Sequence, residues 1–138
     1  MSDLRPLYEK TRFLIVEDER YTREIITGLL HQLGARLIHE APDGNAGFIE
    51  FMRVKPAIVL CDVHMQPVDG LQFLTLVREL TYANLARTPV IFLTADKQQE
   101  TVVSAKKLQV DGYLVKPVSF AALKTRLDPI VQRVGPAL

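Results

Sequence analysis

Residues Ala57-Ile58-Val59-Leu60-Cys61 form an apolar run with no polar alternation, introduced by Pro56 and followed at once by Asp62. A strand with one wet face alternates apolar and polar residues. An unbroken run must instead be covered on both faces, the usual state of a central strand in a parallel sheet. Ligands and chemistry in such sheets sit just outside the carboxyl ends of the strands. Asp62 stands at that end, and the turn-rich loop Gln66-Pro67-Val68-Asp69-Gly70 leads away from it towards the next helix.

The rest of the chain supplies what such a strand needs. Residues 1–11 are polar and without a clear period, a lead-in with a helical turn near 7–10. Phe13-Leu14-Ile15-Val16 is a second buried-strand run, ending in Glu17-Asp18-Glu19. Ile25, Ile26, Leu29, Leu30 and Leu33 then recur at helical spacing and stop at Gly34, a fitting C-terminal cap. A half-exposed strand is expected over 36–40, followed by Pro42-Asp43-Gly44 and a helix in which Ala46, Ile49 and Met52 or Arg53 share a face. Leu71, Leu74, Val77 and Leu80 mark a third helix, and Pro89 opens the strand Val90-Ile91-Phe92-Leu93-Thr94. Val102, Val103, Lys106 and Leu108 mark a fourth helix. Gly112-Tyr113-Leu114-Val115 is a fifth strand ending at Lys116-Pro117, and Phe120, Leu123 and Leu127 give a last helix capped by Ser119. Pro129 has no N–H and would clash with the carbonyl of Thr125, so a kink or a new turn is expected at Asp128-Pro129. Alternating strands and helices joined by short loops predict an α/β architecture, a (βα)5 doubly wound parallel five-stranded sheet.

A chain of 138 residues is the size of one domain, placed at 12–134 with a short tail at 135–138. Lys and Arg number 17 against 16 Asp and Glu, which leaves no basic excess to argue for a nucleic-acid partner. Cys61 is the one cysteine, so no internal disulfide can form. With no long apolar span and no signal-like N-terminus, the expected location is the cytoplasm, away from membranes.

Strand-end polar residues can now be collected. Glu17 and Asp18 follow strand one, Asp62 ends strand three, Thr94 strand four and Lys116 strand five, and a parallel sheet brings these ends to one edge. Three carboxylates crowded together repel unless a cation intervenes, and a hard, oxygen-rich set suits Mg²⁺. A carboxylate can also act as a nucleophile towards phosphorus. Mg²⁺, Lys116 and Thr94 would then hold the oxygens of an incoming phosphoryl group.

With Val16-Glu17-Asp18, Asp62 with Met65 and Asp69-Gly70, Thr94-Ala95 and Tyr113-Leu114-Val115-Lys116-Pro117 in place, the chain resembles the receiver domains of two-component response regulators, of the stand-alone, chemotaxis-regulator-like kind. The resemblance implies a flavodoxin-like receiver fold and Mg²⁺-dependent transfer of a phosphoryl group from a phosphohistidine to Asp62, switching a protein-binding surface. By it Asp18, Asp62 and the backbone carbonyl of His64 hold Mg²⁺, with Glu17 acting through water. Thr94 binds the phosphoryl group, Lys116 pairs with it, the 116–117 peptide is cis, and Tyr113 is an aromatic switch following Thr94. The implied donor is a sensor histidine kinase or a histidine phosphotransfer protein, and the target is a further protein. The chain is then a phosphoacceptor that promotes its own labelling and slow loss of label, not an enzyme with turnover.

Alternatives stay open at several positions. Glu17 and Glu19 could decorate a helix start, where negative charge is favoured. Tyr113 could be a fixed strand aromatic, Cys61 is read as a small buried hydrophobe, and His64 is either a surface histidine or a group beside the phosphoryl site. His64 and Asp96, each two residues beyond a reacting residue, are expected to tune the lifetime of the acyl phosphate. His31 and His39 have no zinc-ligand spacing. Gln66 occupies the place where the family usually has proline, with Pro67 next, and Gln109 stands where a glycine often ends the fourth helix, so that end is expected to be frayed or non-helical. A phosphorelay intermediate passing its phosphoryl group to a histidine phosphotransfer protein is the alternative function. A Mg²⁺-dependent phosphohydrolase of the haloacid dehalogenase type is more distant, because His64 stands where that class needs a second acid. No P-loop occurs.

Overall fold

Each apolar run pairs with another. In the computed structural model, which describes residues 3–95 and 106–134, β1 (Arg12–Val16), β2 (Leu37–Ala41), β3 (Ile58–Asp62), β4 (Val90–Thr94) and β5 (Gly112–Val115) make one parallel sheet in the order β2-β1-β3-β4-β5. The register sets Val16 beside Cys61, Asp62 beside Leu93 and Thr94 beside Val115, so the carboxyl ends finish nearly level. From β1 the chain winds out to β2 and crosses back to β3. That reversal opens a crevice between the ends of β1 and β3, where doubly wound folds place their ligands.

Period-two alternation divides the core between the two faces of this sheet. Phe13, Ile15, Ile58, Leu60, Ile91 and Leu93 pack against α1 (Arg5–Lys10), α2 (Arg20–Leu33) and α6 (Phe120–Val134). Leu14, Val16, Val59, Cys61, Val90 and Phe92 pack against α3 (Gly44–Val54) and α4 (Gly70–Arg78). All five residues of β3 are buried. Gly34 takes φ 111° at the end of α2, and Ser119 Oγ accepts the Ala122 N–H at 3.1 Å, so both expected helix boundaries are present.

Several local expectations are corrected. β2 runs from Leu37 to Ala41, one residue later than expected. On α3 the buried face is Gly44, Gly47 and Phe51, while Ile49 is 63% exposed. A Cβ on Gly47 would lie 2.8 Å from a Val16 methyl, so this glycine lets the helix sit directly on β1 and rotates Ile49 outwards. A short helix not evident in the sequence, α5 (Ala83–Ala86), lies between α4 and β4. α6 does not restart at Pro129 but runs through it to Val134. Leu127, Ile130 and Val131 are buried on both sides of the proline, whereas Thr125 and Pro129 are exposed, so water can reach the side where the hydrogen bond is lost.

Gln109 is non-helical, one of the two outcomes expected at this end, but the turn is held in place and not frayed. Gln109 takes φ 58°, and the Arg78 guanidinium holds the turn through the carbonyls of Leu108 (2.9 Å) and Gln109 (3.0 Å), besides those of Ala86 and Thr88. Asp111 completes this hub by accepting the Val90 N–H at 2.8 Å and facing Arg78 at 3.4 Å. These bonds offset the cost of a left-handed non-glycine residue. Val102, Val103, Asp96 and the tail at 135–138 lie outside the described residues.

The polar N-terminal stretch does more than lead in. Helix α1 buries Tyr8 to 1% exposure against Phe13, and the Tyr8 hydroxyl donates to Asp128 Oδ1 at 2.6 Å, while Lys124 holds the other oxygen at 2.7 Å. Burial first, then the Asp128 hydrogen bond and charge, raises the phenol far above its ordinary pKa. A phenol raised in the folded state contributes stability that is present below its unfolded value of 10.0 and is lost as pH rises beyond it. Tyr8→Phe is therefore expected to cost about 1–2 kcal/mol at neutral pH in urea unfolding. Above pH 10 the gap between the two proteins should narrow; a constant gap would sink this account.

Candidate functional site

Two strand ends deliver three acids to the crevice. Glu17 is fully buried, Asp62 is 5% exposed, Asp18 is exposed, and each offers a carboxylate oxygen within 4.8 Å of the other two. β1 positions the first pair: the Glu17 N–H donates to Ala41 O at 3.0 Å, and the Glu19 N–H donates to Glu17 Oε2 at 3.1 Å. Asp62 Oδ1 accepts the His64 N–H at 3.3 Å.

Lys116 reaches this group from the end of β5. Its Nζ lies 2.5 Å from Glu17 Oε1 and 3.3 Å from Asp62 Oδ2. The Lys116-Pro117 peptide is cis, as the resemblance implies, and so is Gln66-Pro67, which was not expected. The Lys116 N–H donates to Thr94 O at 2.8 Å, tying β5 to the end of β4 where Thr94 is 4% exposed. Burial lowers the ammonium's pKa, but Glu17 and Asp62 outweigh it and the net direction is up.

Glu17 reports the balance of charge. Burial pushes its carboxyl up to about 7, against the pull of Lys116 and the Glu19 N–H, with Asp18 and Asp62 adding to the rise. Three carboxylates face a single ammonium here among the described residues. Glu17 Oε1 is buried and meets that ammonium as an ion pair, without a well-directed hydrogen bond. A compact, oxygen-only site short of positive charge fits a hard divalent cation such as Mg²⁺.

The loop after Asp62 is held closely. The Gly70 N–H donates to Val63 O at 2.9 Å, the Gly44 N–H to Val68 O at 3.1 Å, and Asp69 and Gln72 form a reciprocal capping box at the start of α4. A Cβ on Gly70 would stand 2.4 Å from Asp62 O, so only glycine fits. His64 is exposed at the rim.

Sequence comparison agrees with this geometry. The family model described as the response regulator receiver domain matches residues 13–128. The chain belongs to the response regulator receiver family. It is 32% identical over 128 residues to the chemotaxis protein CheY-3 of Vibrio cholerae, covering 93% of this chain and 97% of that one. It is 37% identical over 128 residues to the transcriptional regulatory protein RprY of Bacteroides fragilis, covering 91% of this chain but only 51% of that protein. In structure it is similar to the V. cholerae chemotaxis protein CheY4, with a TM-score of 0.79 at 24% identity over 87% of this chain and 98% of that one, a likeness that concerns the fold. Among the described residues, no helix of this receiver domain is long and apolar enough to cross a membrane.

The receiver domain brings Glu17, Asp18, Asp62 and Lys116 together, with Thr94 at the neighbouring strand end. Tyr113 lies one strand further out, half-buried against Phe92 with ring centroids 6.1 Å apart, and burial raises its hydroxyl's pKa. It lines a groove of about 580 Å³ with Val115, Pro117, Ala122 and Arg126. Asp96 is outside the described residues, so its relation to the site is not part of this geometry.

Arg23 escaped the sequence reading, and so did the role of Gly70. Gly70 reads as a turn glycine, but its role is to let α4 approach the Asp62 carbonyl. Arg23 donates from Nη1 to Glu17 O at 2.8 Å. A signal for it existed: a cation in the early turns of a helix opposes the macrodipole and calls for a specific anionic or carbonyl partner.

Proposed function

We propose that this receiver domain accepts a phosphoryl group on Asp62 from a phosphohistidine and thereby changes a protein-binding surface. The observation that carries the reading is the meeting of Asp62 with Glu17, Asp18 and Lys116 at the crevice. A carboxylate oxygen of Asp62 forms the new P–O bond as the donor's P–N bond breaks and its imidazole departs. Lys116, already 3.3 Å from Asp62 Oδ2, compensates charge on the phosphoryl oxygens, and the Thr94 hydroxyl donates to one of them. Asp18, Asp62 and the His64 carbonyl would hold Mg²⁺, with Glu17 acting through water. When bound, the ion supplies charge neutralisation for the transferring group. Water later attacks phosphorus and restores the Asp62 carboxylate, with release of inorganic phosphate.

Tyr113 and the groove beside it form the responsive face, coupled to the site as Thr94 moves towards the phosphoryl group and β5 follows through the Lys116 N–H. Val115, 45% exposed, gives this face apolar contact area for a target protein. Direct binding of a target protein is proposed, with passage of the phosphoryl group to a histidine phosphotransfer protein as the alternative.

The test is labelling with acetyl phosphate. Wild-type protein should label with millimolar Mg²⁺ and lose labelling when the ion is chelated or when Asp18 is changed to Ala; ion-independent labelling would refute the assignment. The exposed His64 side chain is proposed to flank the path of the attacking water, and Asp96 to act beside it. His64→Ala should label as completely as wild type but lose its label at a rate changed by about threefold to tenfold. Identical decay would make His64 an ordinary loop residue.

A further inference from the structure

We infer that Arg23 is a positioning residue for the acidic pair, and that Arg23 and Glu40 form a brace setting the affinity of this site for a divalent cation. The Glu17 peptide is gripped at both ends. Its N–H donates to Ala41 O at 3.0 Å, the last bond of the β1–β2 ladder, because β2 stops at Ala41. Its carbonyl accepts from Arg23 Nη1 at 2.8 Å. The guanidinium is held in turn by Glu40 on β2, with Nε 3.6 Å from Glu40 Oε1. Arg23 is only 19% exposed at its side chain, and its own backbone is fixed by an N–H bond to Glu19 O at 3.0 Å.

The purpose follows from what the carboxylates would otherwise do. Glu17, Asp18 and Asp62 repel one another, yet an oxygen of each lies within 4.8 Å of the others. Asp18 is exposed and hangs from the peptide that Arg23 grips, so its direction depends on that peptide's orientation. Left free, the 17–19 turn would relax outwards to spread the charge. A brace that keeps it in place prepares the oxygens before a cation arrives, and partners one shell out commonly change metal affinity by 10- to 100-fold. Charge alone argues the other way. A guanidinium beside the acidic pair repels an incoming cation, so removing it would tighten binding if electrostatics were its main effect. The two roles therefore predict opposite signs.

This inference rests on the Mg²⁺ reading above, and the test separates the two. Binding of Mn²⁺ alone to purified full-length protein is followed by the electron paramagnetic resonance signal of free Mn²⁺, with Mg²⁺ as competitor and thermal unfolding as the check on folding. Arg23→Met, which keeps length but has no donor, should weaken binding about tenfold. Arg23→Lys, with one cation and a shorter reach, should recover part of the loss. Glu40→Gln should weaken binding less, and Arg23→Met with Glu40→Gln should be no weaker than Arg23→Met alone, because the pair acts as one unit. Unchanged or tighter binding in a folded Arg23→Met protein would overturn the brace while leaving the cation site intact. Absence of binding by the wild type, or equal binding by Asp18→Ala, would overturn the cation site and the brace with it. Should Arg23→Met fail to fold, Glu40→Gln decides: wild-type affinity in that variant rejects the brace.

Discussion

Asp62→Asn is expected to leave the protein folded and to reduce labelling by acetyl phosphate or a phosphohistidine donor by about 10³-fold or more, the scale on which removing a nucleophile acts. An amide nitrogen or oxygen at this position has no charge to drive attack on phosphorus. The fold should tolerate the change, because the amide oxygen can still accept the His64 N–H, and one fewer negative charge relieves crowding with Glu17 and Asp18. Loss of the ion pair to Lys116 is buffered, since the ammonium lies closer to Glu17, at 2.5 Å, than to Asp62, at 3.3 Å. Intact-mass measurement after acetyl phosphate treatment, with circular dichroism as the folding control, reads this directly. A folded Asp62→Asn protein that still gains one phosphoryl group would place the acceptor elsewhere.

Gly70→Ala should be the most damaging single-methyl change near the site. The added Cβ would stand 2.4 Å from Asp62 O, 2.9 Å from Val63 Cα and 3.2 Å from Asp62 C. All three atoms are backbone, so no side chain can swing aside; either α4 backs away or the end of β3 moves. Retreat of α4 would disturb the Gly70 N–H bond to Val63 O and pull Phe73, Leu74 and Val77 from the core they fill. The expected cost is about 2–3 kcal/mol in denaturant unfolding. Displacing Asp62 against Lys116 should also slow labelling of the protein that remains folded, by about tenfold to a hundredfold. Wild-type stability together with wild-type labelling would show that α4 does not approach Asp62 as closely as described.

The contrast between these two residues indicates how far the sequence can be read. Asp62 could be picked out because an apolar run ending in a carboxylate is a local pattern, and Glu17, Asp18, Thr94 and Lys116 could be placed on the same edge because parallel strands share a direction. The (βα)5 order needed only alternating periods and turn residues. Gly70 was visible as a residue but not as a close approach, since nothing in Pro67-Val68-Asp69-Gly70 encodes where the Asp62 carbonyl will stand. α3 was misread for a similar reason: Ile49 suits a core position by type, yet contact between Gly47 and Val16 sets the helix rotation and leaves Ile49 in water.

Local chemistry misled most where distant residues intervene. Pro129 carries a real local penalty, but Ile130 and Val131 bury beyond it and keep α6 continuous. Gln109 carries the cost of a left-handed turn because Arg78, some thirty residues earlier, binds the carbonyls around it. Residues 5–10 have no apolar period, yet Tyr8 is drawn into the core by Asp128, 120 positions away. By itself, then, the sequence determined the five strands, the longer helices α2, α3, α4 and α6, the parallel sheet and the polar residues gathered at its edge, all of which follow from hydrophobic period and residue type over a few positions. Only the tertiary structure decided that Lys116 pairs with Glu17 as well as Asp62, that Arg23 holds the Glu17 carbonyl and that Gly70 must lack a side chain. Those facts depend on which atoms from separate segments come within about 3 Å of one another, the range of hydrogen bonds and steric exclusion, and no local pattern carries that information.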